Sequence, residues 1–369
     1  MKFIPYGHQN INSKDIKAVT LTLQSDWLTQ GPKVREFENV LAKATGAAYA
    51  VAVSNGTAAL HLAYLAAGLK KGDEAITSPN TFVATTNMLL AVGAKPVFCD
   101  IRRDTYNMDE SKIEKLINKK TRAIVPVHFA GNPPEMEKIY ALAKKHKLLV
   151  IEDGAQALGA SYGKDKIGAR GDMVTFSFHP VKSITTGEGG AVLTNNKEFY
   201  ERLMHLRSHG ITKDAKGFNV MTELGYNYRL PDINASLGVS QITRLKEFIA
   251  KRNRVVAWYE KALAGIPEIV LPKETKGARS AWHLYMIRTR SPKDRLPLYN
   301  FLKQHNIGVN FHYPAVYSHP YYRKHGYKKT SLPMMDEYHE TAITIPLFQD
   351  LTKNEVAYIA RTIKAYYSK

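Results

Sequence analysis

The chain has a single cysteine, Cys99, which excludes an internal disulfide and a cysteine-based metal cage. No metal is expected. No window approaches the roughly 18 unbroken apolar residues of a membrane span. The opening stretch, MKFIPYGHQNINSKD, lacks the apolar run of a signal peptide, and a cytoplasmic protein is expected. Neither a GxGxxG run nor a Walker-type loop is present to name a nucleotide. Acidic residues are scarce, 33 against 52 Lys and Arg, for a formal charge of +19. That excess suits either a nucleic-acid binder or a site that draws anionic small molecules. The basic residues are spread along the chain, although YYRKHGYKK near residue 325 is locally dense. No helix-turn-helix, zinc-finger or RNP pattern accompanies them, so neither nucleic acid nor membrane is expected as a partner.

What is there is an ordinary globular composition, 44% hydrophobic and 23% charged, with length enough for a large core. From residue 47 to about 200, short apolar strands alternate with amphipathic helices. AAYAVAV, EAITSP, KPVFCDI, RAIVPVHF, LLVIED, DMVTFSF and GGAVLTN read as strands. TAALHLAYLAAG, DESKIEKLINK and PEMEKIYALAKKHK read as helices between them. This alternation predicts an α/β fold, a mainly parallel sheet covered by helices. After about residue 240 the texture changes to an α+β pattern with a small sheet. The expected division is a large domain over 1–240 and a smaller C-terminal domain over 241–369.

Ligands of such sheets collect beyond the carboxyl ends of the strands. In SNGTAAL, a strand ends at Ser54 to Gly56 and a helix opens at Thr57, offering free amides to a phosphate. The same residues also suit an ordinary turn and cap. In VIEDGAQALGA, Asp153 follows a wholly apolar strand, and a buried carboxylate wants a cation or donor, unless it merely caps a helix. In SFHPVKSITTGEGG, Lys182 comes one strand later, so both groups can point into one crevice. They could form a simple salt bridge. Alternatively a pyridoxal ring lies between them, the lysine holding its aldehyde and the carboxylate its protonated nitrogen. Phe82 of TFVATTN could stack on such a ring or belong to the core.

The set SNGTAAL, TFVATTNM, VIEDGAQALGA, TFSFHPVKSITTGEGGAVLTN and GYNYRLPDINASLG resembles the DegT/DnrJ/EryC1/StrS family of pyridoxal-phosphate sugar aminotransferases. The resemblance runs from WLTQGP to the closing helix. It implies a PLP-dependent transferase of fold type I, a homodimer with active sites at the subunit interface, and pyridoxal 5'-phosphate as cofactor. It also implies residue roles. Lys182 would bind the cofactor aldehyde, Asp153 its ring nitrogen, and Gln156 its ring oxygen, a position often held by His in the family. Phe82 would stack on the ring. Gly56, Thr57 and Ser177 would bind the phosphate, joined by Asn227 from a partner subunit. Some relatives carry histidine at the lysine position and are dehydratases, so Lys182 favours transamination.

RSHGITKD, SFHPVKSITTGEGG and SAWHLY further resemble the transaminases of pseudaminic acid biosynthesis. Those enzymes make UDP-4-amino-4,6-dideoxy-N-acetyl-β-L-altrosamine from a UDP-4-keto sugar and L-glutamate. By that resemblance Tyr6, Asp26, Trp27, Leu28, Thr29, His312 and Tyr313 would line the nucleotide-sugar site. Aminoarabinose transaminases share several of these features, so another nucleotide-4-keto sugar is the alternative substrate. A DNA-binding regulator, suggested by the charge, is a more distant one.

Overall fold

The computed structural model describes residues 2–328 and 330–368. Seven strands form its main sheet: β1 Tyr49–Val53, β2 Glu74–Thr77, β3 Lys95–Phe98, β4 Thr121–Val125, β5 Leu149–Asp153, β6 Met173–Ser177 and β7 Gly190–Thr194. Their order across the sheet is β1-β7-β6-β5-β4-β2-β3. The five strands from β6 to β3 run parallel, as the helix-spaced alternation requires. β7 instead runs antiparallel to both β1 and β6. The reason is the connection: residues 178–189 contain no crossover helix, so the chain turns back beside β6. Lys182 sits in that return, at the carboxyl end of the parallel strands.

Helices cover both faces. Among them are α1 Ser13–Leu23, α2 Pro32–Thr45, α3 Gly56–Ala66 and α4 Ala84–Ala91. Period-two alternation along β1 divides the two cores. Val51 and Val53 pack with Leu62 and Tyr64 of α3, whereas Ala50 and Ala52 pack with Phe37 and Leu41 of α2. A buried ion pair joins this layer to the next: Arg207 donates to Glu38 Oε1 at 2.6 Å and to the Ala52 carbonyl at 2.8 Å. Glu38 Oε1 also accepts the Ala52 amide, so β1 is held by both partners. Glu38→Ala leaves the guanidinium buried without its acid and is expected to cost about 3 kcal/mol, read as a lower urea midpoint.

The sequence from LGV to ALAG is helical in its patterning throughout. It is two helices, α5 Asp232–Ile242 and α6 Leu245–Leu263, broken at Thr243 and Arg244. α5 packs on α1 and α2, with Asp15 of α1 accepting from Ser240, Gln241 and Arg244. α6 turns to the C-terminal part and buries Val255, Val256, Tyr259 and Leu263. There it meets an antiparallel sheet of Ile269–Val270, Tyr285–Thr289 and Ala342–Ile345, and the closing helix Lys353–Tyr367. The extended start of the chain joins this same region. Ile4 exchanges backbone hydrogen bonds with Asn306 and Gly308, and Leu347 donates to the Tyr6 carbonyl.

Candidate active site

A cavity of about 740 Å³ opens beyond the carboxyl ends of β1, β5 and β6. Tyr6, Gly56, Thr57, Phe82, Asp153, Gln156, Ser177, Lys182, His312 and Tyr313 all line it. Segments far apart in sequence thus meet where the strand-end argument places a ligand.

One wall is an anion cradle. Asn55 caps α3, its side chain accepting the Ala58 amide at 2.8 Å. The Gly56 and Thr57 amides meet no acceptor among the described residues, and they stand at the positive end of the helix. Glycine is required here by close approach: a Cβ on Gly56 would lie 2.9 Å from Ser177 Cβ. A Cβ on Gly190, at the end of the GEGG run, would lie 2.5 Å from the Asn55 carbonyl. Gly190→Ala is therefore expected to displace the Asn55–Gly56 peptide and weaken pyridoxal-phosphate binding about tenfold, measured by absorbance titration of the apoprotein.

Opposite the cradle, Asp153 ends β5 and is only 5% exposed. Its carboxylate accepts the Thr85 hydroxyl and the Ala155 amide, and no cation pairs with it among the described residues. Thr85 is itself set by Thr81 at 2.7 Å and, through its carbonyl, by the Tyr64 hydroxyl. Lys182 likewise makes no side-chain hydrogen bond or ion pair among the described residues. The simple Lys182–Asp153 salt bridge that the sequence allowed is absent. Burial pushes the Lys182 pKa down to about 8; Asp153 opposes this, and Arg252 adds to it. An amine held near neutrality can take up and give back a proton at physiological pH.

The remaining wall is aromatic. Phe82 is 57% exposed at the lip, its ring centroid 5.9 Å from that of Tyr313. Gln156 accepts the Ala130 amide and donates to the Tyr313 hydroxyl at 2.9 Å, so both ends of its amide are engaged. Burial lowers the His312 pKa to about 4, with Lys182 adding to the shift, and Thr344 meets its Nδ1 at 3.0 Å. Together these features fit pyridoxal phosphate: open amides for its phosphate, a carboxylate for its ring nitrogen, an unpaired lysine for its aldehyde, and a phenyl ring at its edge.

Two sequence-derived expectations fall outside this cavity. Asp26, Trp27, Leu28 and Thr29 follow α1 on the surface, and Asn227 is exposed; none lines the cavity of its own chain. The surface segment is nonetheless held in place, because Asp232 accepts the Gly31 and Lys33 amides and donates its own amide to the Leu28 carbonyl.

Sequence reasoning missed three residues. Thr85 and His283 lie in TFVATTN and SAWHLY, segments singled out without assigning these side chains. Arg252, on α6, is wholly buried and has no carboxylate within ion-pair distance among the described residues. It donates to four carbonyls at 3.2–3.3 Å: Trp282, His283, Leu347 and Val181. Burial lowers its own pKa to about 10.

Comparison with known proteins places this geometry. The model of the DegT/DnrJ/EryC1/StrS aminotransferase family matches residues 9–364. The spore coat polysaccharide biosynthesis protein SpsC of Bacillus subtilis is 37% identical over 98% of this chain and 96% of its own. Among solved structures, Helicobacter pylori PseC, an aminotransferase of pseudaminic acid biosynthesis, is 33% identical over all of both chains, with a TM-score of 0.94. The PLP form of Spr1654 from Streptococcus pneumoniae is 30% identical over 99% of each chain, also with a TM-score of 0.94.

Proposed function

Because the chain belongs to the DegT/DnrJ/EryC1/StrS aminotransferase family, we propose that it moves an amino group from L-glutamate to C4 of a UDP-4-keto-6-deoxy-N-acetylhexosamine. The product is UDP-4-amino-4,6-dideoxy-N-acetyl-β-L-altrosamine. That the protein is a pyridoxal-phosphate-dependent sugar aminotransferase follows from the family and its solved relatives. The observation that carries the chemistry is that Lys182 and Asp153, neither in an ion pair among the described residues, line one cavity. The reading of the sugar rests on the likeness to PseC and on the RSHGITKD and SAWHLY segments.

When bound, pyridoxal phosphate supplies an aldehyde that takes up amino groups and a ring that withdraws electrons. Gly56, Thr57 and Ser177 would hold its phosphate, Asp153 its ring nitrogen, Gln156 its ring oxygen, and Phe82 one ring face. Thr85 keeps the Asp153 carboxylate turned toward the cavity. Lys182 Nζ takes up the proton from the donor's Cα in the first half of the cycle. In the second half it delivers a proton to C4 of the sugar. Its lowered pKa makes both transfers accessible near neutral pH. Tyr6, His312 and Tyr313 would meet the nucleotide sugar from their own chain. Asn227 and the Asp26–Thr29 segment, exposed and outside their own cavity, would serve a second copy in a homodimer.

Incubation with L-glutamate and a panel of UDP- and dTDP-4-keto sugars, read by mass and by NMR of the new C4 centre, tests this reading. Amination of the UDP-4-keto N-acetyl sugar to a product of the altro configuration is expected. Preference for another 4-keto sugar would overturn the substrate assignment.

A further inference from the structure

His283 lines the cavity at 4% exposure, yet its ring makes no hydrogen bond among the described residues. Its Nδ1 is sealed from solvent without a partner. Such a group is rare in a folded interior, because a stranded polar atom costs free energy, and it leaves Nε2 as the ring atom free to meet a ligand. Its position is not accidental either. Arg252 grips the His283 carbonyl with one guanidinium nitrogen and the Val181 carbonyl, next to Lys182, with the other. The Ala130 carbonyl accepts the His283 amide at 2.7 Å. The imidazole and the reacting amine therefore share one rigid frame.

The charge around the ring decides its form. Burial drives the His283 pKa well below the ordinary value, with Lys182, Arg252, His312 and His179 all adding in the same direction. The ring stays neutral. With Nδ1 closed off, the less costly tautomer leaves a lone pair there and keeps the proton on Nε2, as a donor.

An amino acid donor brings a carboxylate one bond from the carbon that Lys182 must deprotonate. Among the described residues, the part of the cavity lining that this chain supplies contains no arginine and no second lysine. The α3 amides are suited to phosphate, His312 Nδ1 is taken by Thr344, and His179 is exposed. We propose that His283 is a substrate-binding residue that donates a hydrogen bond to the α-carboxylate of the amino donor, setting its Cα beside Lys182. The inference rests on the reading that the donor is an amino acid, L-glutamate.

The probe is α-methyl-L-glutamate, which has no α-proton to lose, titrated against the absorbance of the holoenzyme. His283→Ala is expected to raise its Kd on the order of tenfold to a hundredfold, the worth of one hydrogen bond to a charged group. The KM for L-glutamate rises by a similar factor, and the KM for the keto sugar moves less. His283→Gln still offers an N–H and is expected to recover much of the affinity. Unchanged probe affinity in His283→Ala overturns the proposal, and so does a Gln variant that binds no better than Ala. A wild-type enzyme that reacts with its keto sugar from the amine form but ignores L-glutamate overturns the donor reading instead.

Discussion

Lys182→Ala is expected to lower turnover by a factor on the order of 10⁵ or more, with loss of the yellow colour of a lysine-bound cofactor. The cavity lining offers no other primary amine among the described residues, so no neighbour can take over the covalent attachment or the proton transfers. The same position should show the opposite effect on stability. The folded pKa of Lys182, about 8, lies below the ordinary 10.5. Between those values the unfolded chain binds more protons than the folded one, so stability rises with pH across that window. The burial cost is complete below about pH 8 and fades toward 10.5. Lys182→Met keeps most of the side-chain volume and removes the charge. Its apoprotein should melt above wild-type apoprotein at pH 7, with the gap closing as pH rises through the window. Calorimetry across pH checks this, and a gap that widens with pH would contradict the sign. The residue proposed to carry the chemistry is thus one the fold would be more stable without.

Asp153→Asn is the second large effect. Asparagine can accept the Ala155 amide with its oxygen and donate its NH2 to the Thr85 hydroxyl, so both contacts that fix the carboxylate have a counterpart and the fold should survive. It cannot offer a negative charge to a protonated ring nitrogen. Turnover is expected to fall roughly 10³-fold, by analogy with removing one preorganised electrostatic partner from a reacting centre. Cofactor affinity should drop on the order of tenfold. Single-turnover absorbance with the donor separates the two, since saturating cofactor restores binding without restoring the rate. Full turnover in Asp153→Asn at saturating cofactor would remove Asp153 from the chemistry.

The local signals in this sequence were those whose meaning survives without tertiary context. Apolar strands spaced by helices gave the parallel run from β6 to β3. Lys182, Asp153 and the Gly56–Thr57 pair stood at strand ends, where an α/β sheet collects its ligands. The reversal of β7 was legible only in hindsight, from a connection too short to hold a crossover helix. Arg252 was not legible at all. It lies in KEFIAKRNRVVAW among Lys251 and Arg254, and nothing in that spacing separates a wholly buried cation from its solvated neighbours. Its partners are backbone carbonyls from three distant segments, and a carbonyl carries no sequence signature. His283 escaped for a related reason: its significance lies in the partner it lacks, which only packing reveals.

The four carbonyl bonds of Arg252 also bear on motion. They tie the loop carrying Lys182 to the 282–283 segment and to Leu347. A hinge between these segments would strand a desolvated guanidinium in mid-opening, with no carboxylate to catch it among the described residues. The three segments therefore travel as one piece, and a substrate is admitted by yielding elsewhere at the rim.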